Sequence, residues 1–155
     1  MPKFKIEQVA LYPKNPAAAK ELLTAMGAGE WAEDHVVASG MVYGDGPGTN
    51  EADLSFNYDM LGAGKELEVL HYTKGDNWMN YNVNRVSHLG MHCSAEELDE
   101  WREFFAQRGI EVAQEVHTES HTNPVIKDSR RYNYVIFDTH GILGVDVKFI
   151  VRRDI

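Results

Sequence analysis

Two helix-start signals 79 residues apart divide the 155-residue chain into halves that repeat one order of elements. In the first half Asn15 is a side-chain N-cap followed by Pro16 at the first helical position. Ala18, Leu22, Ala25 and Met26 then recur at helical spacing up to Gly27. In the second half Ser94 and Glu97 form a capping box, and Leu98, Trp101, Phe104 and Phe105 make an apolar stripe that ends at Gly109. Each helix directly follows a short apolar stretch, residues 9–12 or 89–93, and each is followed by three segments of strand character. These are residues 35–43, 52–58 and 67–73, and then 110–117, 131–137 and 143–151. Breaks fall at Gly44-Asp45-Gly46-Pro47-Gly48, at Gly62-Ala63-Gly64 and in a polar loop, 118–129, with His121, Asn123 and Pro124. The order is β-α-β-β-β twice: an α+β chain, one domain over 1–155, with a first module at 4–75 and a second at 84–153. One four-stranded sheet with one helix leaves a sheet face uncovered, so the halves gain by pairing, and pairing opens a cleft between them.

Charge and composition exclude several partners. Fifteen Lys and Arg against twenty-four Asp and Glu give a net charge of −9, a field that repels a phosphate backbone. The basic pairs Arg130-Arg131 and Arg152-Arg153 are too small for a nucleic-acid face. No apolar run approaches the ~18 residues that cross a bilayer, and the N-terminus has no signal-peptide core, so neither a membrane nor secretion is expected. A single cysteine, Cys93, fits a reducing cytoplasm and a small buried side chain.

Alternation assigns the strand faces. Val9 and Leu11, Leu67 and Val69, Leu89 and Met91, and Val145, Val147 and Phe149 form the sides that meet the helices. The opposite sides carry Gln8, Glu68, His88 and Asp146, one metal-capable group from each of four strands. Gln8 pairs with His88 at an offset of 80 and Glu68 with Asp146 at 78. Two carboxylates, an imidazole and an amide oxygen suit a divalent ion with positions left open. Each also has a plainer role: Gln8 and Asp146 as polar groups lining the cleft, Glu68 in a solvated acidic edge with Glu66, and His88 as a hydrogen-bonded core residue. His92 shares the face of His88 as a ligand or substrate contact, while His71, His117, His121 and His140 read as surface or loop residues.

The segments EQVALYP before a helix, KELEVLHY, SHLGMHCS before a helix, and VIFDTHGILGVDVKF resemble the vicinal oxygen chelate superfamily of glyoxalase I, bleomycin-resistance proteins and extradiol dioxygenases. The resemblance runs from about Lys5 to Arg152 and lies in the order and spacing of short motifs. It implies two βαβββ modules in a cupped mixed sheet with helices on the outer face, and metal ligands at Gln8, Glu68, His88 and Asp146. That set is similar to one class of glyoxalase I, with Asp in place of the usual final Glu. The family acid stands four residues after a glycine, whereas Asp146 stands five after Gly141. Tyr12 and Tyr72 stand where glutathione-binding residues are usual, so a glutathione substrate is not expected.

Two functions follow as expectations. In the first, a divalent ion (Ni, Co, Zn, Mn or Mg) acts as Lewis acid on a small oxygenated substrate, and Glu68 or Asp146 moves a proton next to a carbonyl, as in a lyase or isomerase. In the second, the cleft sequesters an aromatic or cationic small molecule without metal, in the manner of bleomycin-resistance proteins, using Phe56, Tyr58, Trp78, His92 and Tyr134 and the acidic field of −9. Trp78 and Tyr81 otherwise staple the modules together. An exposed module edge favours a homodimer.

Overall fold

A computed structural model describes residues 3–42, 46–75, 87–120 and 130–154. Trp78, Tyr81 and the loop residues 121–129 lie outside the described residues.

The described residues form eight strands and three helices, and the strands and the two capped helices follow the expected order. The first unit runs β1 (Gln8–Leu11), α1 (Pro16–Ala25), β2 (Ala32–Val42), β3 (Gly46–Asn57) and β4 (Glu66–Gly75). The second runs β5 (Ser87–His92), α2 (Ala95–Ala106), β6 (Val112–Ser120), β7 (Arg130–Phe137), a four-residue α3 (His140–Leu143) and β8 (Asp146–Asp154). The strands form one mixed sheet in the order β1-β4-β3-β2-β6-β7-β8-β5. Its two parallel contacts, β1 with β4 and β5 with β8, hold equivalent places in the two units. The units join where β1 pairs antiparallel with β5. The sheet then curls until β2 and β6 meet over Ser39–Val42 and Gln114–His117, which turns the cup into a closed barrel. This curled eight-stranded sheet is consistent with a glyoxalase-like fold. Among the described residues no helix is long and apolar enough to cross a membrane.

Both helix starts form as the sequence indicates. The Asn15 side chain accepts from the Ala18 amide at 3.0 Å, and Ser94 Oγ accepts from the Glu97 amide at 3.1 Å. Packing then separates the two. Leu98, Trp101 and Phe105 of α2 are buried against Met91, Val135, Phe137, Val147, Phe149 and Val151, the helix-side positions of β5, β7 and β8. No residue of α1 is buried, and Leu22 and Met26 are each 63% exposed. The reason lies under the helix: between α1 and the sheet runs a groove lined by Lys20, Glu33, Asp53, Ser55 and His71, a polar surface that an apolar stripe cannot use.

Several strand limits also differ, two of them in kind. Residues 46–48 belong to β3 rather than to a turn, because Gly46, Pro47 and Gly48 pair with Val42, Met41 and Gly40. Residues 143–145 are not strand: α3 ends at Gly144, whose φ of 80° suits glycine, and Thr139 Oγ1 donates to the Val145 carbonyl at 2.8 Å.

Candidate functional site in the barrel lumen

Register decides which side chains meet, since residues opposite one another on neighbouring strands share a face. Gln8 lies opposite Glu66 and Ala10 opposite Glu68. In the second unit His88 lies opposite Asp146 and Gly90 opposite Lys148. The units therefore match under one shift of 80 residues, the separation of Gln8 and His88. Glu66 corresponds to Asp146, and Glu68 corresponds to Lys148. Pairing Glu68 with Asp146 by alternation is two residues out of step: a period of two keeps the face and loses the position along the strand. Lys148, four residues after Gly144, holds the place equivalent to Glu68.

Gln8, Glu68, His88, Asp146 and Lys148 are all buried. Three of the four expected ligands come together. The His88 imidazole Nε2 is 2.7 Å from Gln8 Oε1 and 3.6 Å from Glu68 Oε1. The Gln8 amide nitrogen donates to Glu66 Oε1, which turns Gln8 Oε1 toward His88 and makes His88 Nε2–H the donor of the shorter contact. The close approach needs a bare backbone next door: a Cβ on Gly90 would stand 3.0 Å from Gln8 Oε1 and 3.1 Å from Gln8 Cβ. Asp146, opposite His88 in register, has Oδ1 accepting from the His140 amide at 3.1 Å.

Burial sets the protonation of this group. It holds His88 well below its ordinary pKa, with the Lys148 charge acting in the same direction. It raises Glu68, against the opposing pull of Lys148. Glu66, half-buried and beside Glu68, is pushed up to about 7. The sign for stability follows: the folded state keeps a proton on Glu66 that the unfolded chain has already lost, so Glu66 lowers stability as pH rises through its shifted range and the loss is complete above about 7. Glu66→Gln keeps an acceptor for Gln8 and removes this loss. Its stability relative to wild type should rise by on the order of 2–3 kcal/mol between pH 5 and pH 8, read from urea melts at both values. An equal difference at both pH values would contradict the assignment.

The lumen beside these groups is a cavity of about 60 Å³. Val36, Ala52, Leu54, Leu70, Val116 and Ile136 supply apolar wall; Tyr72, Tyr134, Gln114, Glu68, His88 and Lys148 supply the polar points. Of the expected substrate contacts, Tyr134 lines this cavity. Phe56 is buried opposite Glu68 on the same face, and its ring stacks at 6.1 Å on Tyr58, which is partly buried at the strand end. His92 is exposed at the rim, where its amide donates to Glu7 Oε1 at 2.8 Å. Lys148 is the residue that a search confined to metal donors passes over, and Glu66, a carboxylate on the same face, is passed over because alternation matches Glu68 with Asp146. Their signal is the same alternation: each is two positions from a residue already placed on the lumen face.

The donor set does not fit the divalent ion that the resemblance implies. The place of a fourth ligand holds the Lys148 ammonium, which repels a cation. His88 Nε2, which would have to coordinate, carries a proton directed at Gln8. No group of three or more His, Cys, Asp or Glu side chains among the described residues could hold a metal ion. No protein-family model matches the chain, and no curated protein matches it.

Proposed function

We propose that this chain is a vicinal oxygen chelate-type protein that works without metal and binds a small organic molecule inside its barrel. The observation that carries the reading is Lys148: a buried ammonium lines the lumen in the register position equivalent to Glu68. The cavity agrees with it, since mostly apolar walls with a few convergent polar groups are the usual build of a small-ligand site. Eight strands leave an interior wide enough for one such ligand.

The test uses a filled lumen. Ala52 is buried on the cavity wall, and Ala52→Leu adds three carbon atoms to that space. A thermal-shift screen of small organic compounds should find ligands for the wild-type protein whose stabilisation disappears in Ala52→Leu, with the variant's circular dichroism unchanged. Ligands that stabilise both proteins equally would move the site out of the barrel.

A second reading, proton transfer next to a carbonyl, is favoured by the Glu68 carboxyl, which lines the cavity 3.6 Å from His88 Nε2. In it Glu68 rather than Asp146 is the base, because Asp146 Oδ1 is held by the His140 amide. Compounds found in the screen are those to follow for exchange of the adjacent C–H proton with solvent deuterium.

A further inference from the structure

Lysine is seldom buried without an anion beside it, because removing an ammonium from water is costly unless a partner compensates. Lys148 is 7% exposed, and its Nζ lies 4.2 Å from the centroid of the Tyr134 ring. Among the described residues Nζ makes no hydrogen bond and no ion pair, and the carboxyls of Glu66 and Glu68 act on it only through charge. The two nearest acids are committed to the neighbouring group, Glu66 accepting from Gln8 and Glu68 standing beside His88. One side of the ammonium is covered by a π face and the other borders the cavity, so the lumen holds an ammonium whose N–H donors lack an acceptor.

The shape and lining narrow the ligand further. By volume, about 60 Å³ accommodates roughly four to six non-hydrogen atoms, at the space one water needs. Leu54, Leu70 and Val116 offer those atoms an apolar surface, with polar groups confined to Lys148, Gln114, His88, Glu68 and the two tyrosines. A fully hydrated anion such as phosphate would lose water on every side, and the apolar walls replace none of it. A short alkyl chain ending in one carboxylate loses little there and supplies the missing acceptor for the Lys148 N–H groups.

We infer that the lumen takes a short-chain organic carboxylate, with its anionic oxygens on Lys148 and its alkyl part against Leu54, Leu70 and Val116. This rests on the proposal that the barrel is the ligand site. The ammonium serves as an anchor whose worth depends on the ligand's charge, and the alkyl walls select for length.

Isotope-labelled full-length protein titrated with sodium butyrate, sodium propionate, inorganic phosphate and butyramide at constant ionic strength tests it. Butyrate should give saturable NMR shifts at Leu70, Val116 and Tyr134. Butyramide, of the same shape and no charge, should bind at least tenfold more weakly, and phosphate should leave these signals in place. Lys148→Met and Lys148→Gln should each weaken butyrate at least tenfold and bring the acid and the amide to similar affinity. Butyramide binding as tightly as butyrate, or both lysine variants retaining butyrate, would overturn the carboxylate class and leave the barrel as a ligand site. Saturable shifts confined to residues outside the lumen would overturn both, and shifts with phosphate alone would replace the carboxylate with an inorganic anion.

Discussion

Phe149→Ala should lower the unfolding free energy by about 3–5 kcal/mol, the loss typical of a large aromatic side chain removed from a close-packed core. Phe149 is fully buried and sits where strand alternation and the helix stripe meet. Its ring centroid lies 5.0 Å from Trp101, 5.6 Å from Phe4 and 5.7 Å from Phe137. The edge-on contacts with Phe4 and Phe137 suit the aromatic quadrupole and add to simple burial. The cavity left by alanine would be walled by rings held on β7 and α2, which cannot collapse into it without moving backbone. Phe149→Leu should recover more than half of the loss. Urea unfolding followed by circular dichroism measures both, and a loss under about 1 kcal/mol for the alanine variant would mean that α2 does not anchor the barrel.

Asn57→Ala should cost nearly as much, for a polar reason. Asn57 is 1% exposed at the end of β3 and serves two loops at once. Its amide nitrogen donates to the Ala28 carbonyl and, at 3.1 Å, to the Glu30 carbonyl, in the segment between α1 and β2. Its Oδ1 accepts from the Asp59 and Met60 amides at 3.2 and 2.9 Å, in the segment between β3 and β4. Each buried group left unsatisfied costs about 1–3 kcal/mol, and partial relaxation brings the expected total to about 3–4 kcal/mol. Asn57→Asp separates this from a volume effect. It preserves shape and the two acceptor contacts but cannot donate, and it faces carbonyl oxygens with a carboxylate. It should be at least as destabilising as alanine at pH 7. If Asn57→Asp is as stable as wild type, the donor contacts do not hold the loops. Gly29, in the same segment, has φ 75° and presses against the Asp59 side chain, so neither side chain nor ordinary backbone geometry is available there.

How far the sequence reveals this molecule varies with the physics of each element. The capping box and the stripe of Leu98, Trp101 and Phe105 specify α2 completely, because local signal and tertiary partner agree. The spacing of Leu22 and Met26 is as regular, yet both stay exposed. Periodicity states that a helix has an apolar side, and it does not state whether an apolar sheet lies beneath. The clue was present in Asp53 and Ser55, which alternate with Leu54 and Phe56 and give α1 a polar floor. The Gly-Pro-Gly at 46–48 reads locally as a turn and is overridden by pairing with β2. In the lumen, the meeting of Gln8 with His88 follows from one offset and the strand period. Lys148 and the contact of Asp146 with the His140 amide do not, since they depend on register, which alternation leaves undetermined by two residues, and on the short helix at 140–143.

Nitrogen NMR of His88, recorded before and after saturating Zn²⁺ and Ni²⁺, gives the most direct view of the lumen. The neutral imidazole should carry its proton on Nε2, donate to Gln8, and remain so from pH 8 down past the ordinary histidine range, because burial holds its pKa well below 6.5. Neither metal should alter the signal. Loss of the Nε2 proton with a metal-bound shift on adding either ion would show that His88, Gln8 and Glu68 form a metal centre, and the metal-free ligand site proposed here would be wrong.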